Sequence, residues 1–151
     1  MKLTTRIAVI PVMVTDQEEA LAFYTEKLGL EKRTDMVFAP GLRLLTVATK
    51  GQKKPEIALA RPDELQQSDG QLKTLPERRD RTTPWIFMTD DCCKAYETLM
   101  ARGVKFVSAP MKQFYGTEAI FEDPYGNVFM LLEASPKARS LLRNRCVGKA
   151  A

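Results

Sequence analysis

The chain has 151 residues, 44% apolar and 28% charged, a globular composition that excludes wholesale disorder and fibrous repeats. Lys and Arg number 23 against 19 Asp and Glu, but residues 134–151 hold five of the basic ones (Lys137, Arg139, Arg143, Arg145 and Lys149) and no acidic one. The remaining 18 basic and 19 acidic residues nearly balance, so the positive charge belongs to a tail and not to a folded face, which argues against a nucleic-acid partner.

The first element is an apolar run over 7–14, broken by Pro11, which reads as a strand. It is too short to cross a bilayer and lacks secretory flanks, so a cytoplasmic protein with no membrane partner is expected. Asp16 then reads as a helix N-cap, with Glu19 placed to complete a capping box. Leu21, Tyr24 and Leu28 recur at helical spacing, and Gly29 supplies the stop. Strands follow over 30–38, 42–49 and 56–61, with a turn at 50–55. Residues 62–83 are polar, carry Pro62, Gly70 and Pro76, and read as a linker; its Arg78, Arg79 and Arg81 suit a solvated loop.

The same order then recurs. A strand over 85–88 leads to Asp90 as a cap, to Tyr96 and Leu99 on one helix face, and to Gly103 as the stop. Trp85 is expected to pack toward the helix. Cys92 and Cys93 fall in the first helical turn. With Cys146 they make an odd count of three, which gives no disulfide framework and fits a reducing compartment. Strands over 104–109, 116–122 and 127–134 follow, the last two joined by the turn Asp123-Pro124-Tyr125-Gly126. Residues 138–145 suit one or two helical turns.

Thr15-Asp16 and Thr89-Asp90 lie 74 residues apart, as do Gly29 and Gly103. The chain therefore reads as an α+β protein of two tandem β-α-β-β-β modules, at 1–61 and 84–134, with a linker at 62–83 and a basic tail at 135–151. Phe23-Tyr24 followed by Leu28-Gly29, and Asp123-Pro-Tyr-Gly-Asn127, give these modules a resemblance to the vicinal oxygen chelate superfamily. That group includes glyoxalase I, extradiol dioxygenases, and fosfomycin- and bleomycin-resistance proteins. The resemblance implies sheets that curl into a cup, helices outside, a small-molecule ligand inside, and a homodimer.

It also implies four metal ligands, two on each module. Those positions fall here on Val9, Ala58, Pro84 and Met130, none of which suits a divalent cation. The chain has no histidine, which removes His-based metal sites and the commonest general base. No metal and no cofactor are expected. By strand alternation the ligand face would carry Val9, Pro11, Met13, Ala58, Met88 and Met130, with Phe38, Phe114 and Tyr115 at its margins. Such a face suits an apolar or aromatic ligand, and the expected function is metal-independent binding, with sequestration of an antibiotic or toxin as one form of it. The competing reading is an enzyme, a glyoxalase-like lyase, isomerase or transferase. It would use a relocated metal or carboxylate acid–base chemistry, with Glu56 and Glu118 as candidates and Arg43 and Glu133 as further polar groups.

Overall fold

The computed structural model describes residues 4–62 and 84–140. The linker arginines, Thr83 and Cys146 lie outside them, as does the tail after 140. The chain divides into two compact units, Met1–Arg81 and Thr82–Ala151.

In the first unit, β1 (Val9–Met13) leads to a helical segment, then β2 (Glu31–Ala39), β3 (Leu42–Ala48) and β4 (Glu56–Ala60). The sheet order is β1-β4-β3-β2, with β1 parallel to β4 and the other pairs antiparallel. In the second unit, β5 (Trp85–Met88), α2 (Cys92–Ala101), β6 (Lys105–Gln113), β7 (Gly116–Glu122) and β8 (Val128–Ala134) repeat this order as β5-β8-β7-β6. Residues 136–140 are helical, with Ser135 Oγ accepting from Ala138 N–H at 3.2 Å. Among the described residues no helix is long and apolar enough to cross a membrane.

Each sheet is covered on one face. In the first unit Val12, Val14, Leu45, Val47 and Leu59 are buried together with Ala20, Phe23 and Tyr24 of the helical segment. Gln17 ties that segment to the sheet, its Nε2 donating to Leu59 O at 2.8 Å. In the second unit an aromatic cluster fills the same position. Phe121 lies 5.4 Å from Phe129, Phe87 lies 5.5 Å from Phe129, and Tyr96 of α2 packs on Phe106 at 4.6 Å. Each buried side chain of this size stabilises its unit by about 1.5–3 kcal/mol, so the covered faces carry the fold.

The two helical segments differ. The first begins as α1 (Gln17–Ala22), capped by Asp16, whose Oδ1 accepts from Glu18 and Glu19 N–H at 3.0 Å. It then widens into a π-helical turn, Phe23–Lys27, with Leu28 N–H reaching back to Phe23 O at 3.1 Å. The second helix is capped by Asp91, one residue later than Asp90, with Asp91 Oδ1 accepting from Lys94 N–H at 2.9 Å. The caps Asp16 and Asp91 are thus 75 residues apart, whereas the glycines that follow, Gly29 and Gly103, are 74 apart. The first helical segment holds one residue more, and a π turn accommodates one. That turn lets two consecutive aromatics, Phe23 and Tyr24, both bury (5% and 0% exposed).

The β7–β8 turn is held by one carboxylate. Asp123 Oδ1 accepts from Tyr125 and Asn127 N–H at 2.9 Å, and its Oδ2 accepts from Asn127 Nδ2 at 2.7 Å. Gly126 takes the positive φ of 80° that the turn requires.

Candidate ligand-binding site

The opposite face of each sheet is only partly covered, with Ala58, Thr46 and Leu132 buried on it and Val9, Met36, Ile86, Met88 and Met111 exposed, and the register shows what stands there. In the first unit Val9 pairs with Glu56, Pro11 with Ala58 and Met13 with Ala60. Ala58 in turn pairs with Thr46, and Thr46 with Thr34, so Pro11, Ala58, Thr46 and Thr34 form one row. Leu44 and Met36 pair further along. Alternation thus separates Val9, Pro11 and Met13 from Val12 and Val14 as the sequence predicts, since the latter two are the buried ones.

In the second unit two rows cross the whole sheet. Ile86, Met130, Ile120 and Ser108 make one; Met88, Leu132, Glu118 and Met111 make the next. Ile86, Met88 and Met111 are each more than half exposed, as is Met36 in the first unit. Uncovered methionines on a rigid sheet give a surface that adapts to varied apolar shapes.

The four positions that the family resemblance assigns to metal ligands stand on these faces or at their edge. Val9 and Ala58 are diagonal neighbours, since Ala58 pairs directly with Pro11; Met130 pairs with Ile86, and Pro84 precedes β5. Three hydrocarbon side chains and a thioether do not fit a divalent cation. Among the described residues no three His, Cys, Asp or Glu side chains gather as a metal would require.

The two candidate carboxylates differ in their surroundings. Glu56 is buried at the start of β4. Lys54 Nζ meets its Oε2 at 2.5 Å, and Thr46 Oγ1 donates to its Oε1 at 3.1 Å. Lys54 first, with Thr46 adding to it, holds this carboxyl below the usual range against the opposing effect of burial. That is the reverse of the raised value a general acid needs. Glu118 is half-buried and accepts from Tyr115 Oη and, at 3.5 Å, from Gln113 Nε2. The bond to Glu118 raises the Tyr115 phenol above its ordinary value.

Other candidates stand elsewhere. Arg43 donates through Nε and Nη2 to both oxygens of Asp35, at 2.7 and 2.8 Å, and meets Glu18 Oε1 at 2.5 Å, so it clasps the helix to the covered side. Glu133 pairs with Thr117 and alternates away from the open face. Phe114, 95% exposed, stands at the β6–β7 hairpin and lines a groove of about 740 Å³ with Lys112, Thr117, Glu133 and Arg139. Because Thr117 and Glu133 alternate with Glu118 and Leu132, this groove is distinct from the methionine rows. Phe38 is 61% exposed at a register irregularity near the end of β2. Trp85 pairs with Phe129 on the helix side, but as the first residue of its strand it is 51% exposed and does not join the core. Cys92 is buried with Sγ donating to Leu131 O at 3.8 Å, and burial pushes its thiol up to about 11, which disfavours a nucleophile.

Two tandem β-α-β-β-β modules, each with a helix on one sheet face and an apolar open face on the other, define the vicinal oxygen chelate fold. The chain belongs to the Glyoxalase/Bleomycin resistance protein/Dioxygenase superfamily, whose family model matches residues 6–131. An uncharacterized protein of Shewanella frigidimarina is 33% identical over 129 residues, which cover 85% of this chain and 93% of that one. The crystal structure of UcmS2 superposes with a TM-score of 0.74 at 35% identity, covering 87% of this chain and all of that one (100%). TnmS3, an antibiotic binding protein from Streptomyces sp. CB03234, superposes with a TM-score of 0.70 at 27% identity, covering 89% of this chain and 100% of its own.

Proposed function

We propose that this protein is a metal-independent small-molecule-binding protein that holds an apolar or aromatic ligand on its open sheet faces, with antibiotic or toxin sequestration as its role. The observation that carries this reading is the pair of full-width rows in the second sheet, seven of whose eight members are apolar or a small hydroxyl, with Ile86 and Met88 more than half uncovered. A rigid apolar surface of this kind binds by shape and dispersion and needs no Lewis acid. The likeness to TnmS3, an antibiotic binding protein, supports the same class of ligand. The protein acts as a homodimer in the cytoplasm.

The test is a fluorescence titration with the neutral aromatic probe N-phenyl-1-naphthylamine. A blue-shifted, saturable signal with Kd below about 100 µM is expected, and it should be unchanged after treatment with a metal chelator. Met88→Lys, at an exposed position that leaves folding intact, should weaken it about tenfold or more. Loss of binding in the chelator-treated protein would remove metal independence, and indifference to Met88→Lys would move the ligand off this face.

A further inference from the structure

Glu118 interrupts an apolar row. It stands between Leu132 and Met111, with Met88 beyond Leu132, all on the open face of the second sheet. Its carboxylate offers about four acceptor sites. Two donors reach them, the Tyr115 hydroxyl and the Gln113 amide, and both are neutral. Among the described residues Glu118 takes part in no ion pair, whereas Glu56 in the other sheet is matched by Lys54. The other charges on this face, Lys105 and Glu122, meet each other at 2.6 Å. The open face of the second sheet therefore presents one uncompensated negative charge, oriented by two hydrogen bonds and bordered by hydrocarbon and thioether.

Resting on the apolar-ligand reading above, we propose that Glu118, positioned by Tyr115 and Gln113, is a cation anchor, and that the ligand class is an apolar or aromatic body bearing a protonated amine. An ammonium would reach the unused acceptor sites while its hydrocarbon body lay along Met88, Leu132 and Met111. The apolar border lowers the local dielectric, so the charge pair is stronger than one in open water. The amine loses hydration on binding, which offsets part of this gain and leaves discrimination of about tenfold, or 1.4 kcal/mol, over a hydroxyl at the same place. An anionic group there is disfavoured by the same field.

The test compares three anthracenes of one shape by fluorescence anisotropy: 9-anthracenemethylamine, 9-anthracenemethanol and 9-anthracenecarboxylate. The intact protein is expected to prefer the amine about tenfold over the alcohol and to bind the carboxylate most weakly, with the preference shrinking at high salt. Glu118→Gln should equalise amine and alcohol while the alcohol's affinity stays within about twofold of the intact protein's. Tyr115→Phe, which removes one of the two bonds that position the carboxylate, should narrow the amine preference to about threefold, an unchanged preference would overturn the positioning role of Tyr115, and circular dichroism of both variants fixes that they are folded. Equal affinity for amine and alcohol in the intact protein, or a preference that survives Glu118→Gln, would overturn the anchor and leave the apolar-ligand reading standing. Failure of all three compounds to bind would overturn both.

Discussion

Glu56 and Glu118 look alike in the sequence, each an acidic residue in a largely apolar strand. What separates them is the sheet register. Thr46 reaches Glu56 only because β3 and β4 pair Thr46 with Ala58, and Lys54 reaches it across the turn that enters β4. Alternation needs only the strand's own period, and the register shifts in β2 and β6 interrupt it. It was not enough to read partners, since those depend on which strands adjoin and in what register. Glu56 has a direct consequence in acid. Its carboxyl is held below its ordinary value of 4.5, foremost by Lys54, so ionisation is favoured in the folded state relative to the unfolded one. That contribution to stability is fully present above the unfolded carboxyl's value and is lost as the pH falls through the folded one. Denaturant unfolding at a series of pH values should therefore show a steeper loss of stability below about pH 4.5 in the intact protein than in Glu56→Gln. Asp35, lowered by Arg43, contributes to the same window in both proteins, so the difference between them isolates Glu56. Coincident profiles would show that Lys54 and Thr46 do not act on this carboxyl.

At the scale of elements, the repeat, the strands and the glycine stops follow from short-range rules, and they are where the sequence is most informative. The π turn is different. Its extra residue sits inside a stretch whose Leu21, Tyr24 and Leu28 still look helical, and what favours it is the burial of adjacent Phe23 and Tyr24 against the sheet. The cap at Asp91 is missed for a related reason. Asp90 and Asp91 are equivalent locally, and the choice is made by Cys92, which buries against Leu131 when the helix starts there. Two element-level predictions follow from backbone geometry. A Cβ on Gly116 would lie 2.0 Å from Glu133 O, at a φ of 146° that favours glycine. Gly116→Ala should therefore cost about 2–4 kcal/mol in a denaturant melt. Asp123→Ala removes three charge-assisted bonds made by a buried carboxylate and should cost about 2–3 kcal/mol. A loss below about 0.5 kcal/mol in either variant, which is the scale of ordinary surface changes, would show that the strand pair relaxes around it.

At the scale of the whole molecule, uncovered apolar side chains demand an account. Val9, Met36, Ile86, Met88 and Met111 are between 39% and 56% exposed, and a small ligand covers only part of such an area. The second copy implied by the family resemblance would cover more of it. Sedimentation should give twice the 17.0 kDa chain mass, and Ile86→Asp should return the single-chain mass with the circular dichroism of the folded protein. Ligand and partner then share a face, so their binding is coupled and the coupling is reciprocal. Diluting the protein until it is monomeric should weaken N-phenyl-1-naphthylamine binding, and saturating probe, with one site per chain, should tighten the dimer by the square of that factor. A single-chain mass at every concentration would remove the second copy. An affinity that is equal in dimer and monomer would show that one chain holds the ligand alone, leaving Met88, Leu132, Glu118 and Met111 of that chain as its complete contact on the second sheet.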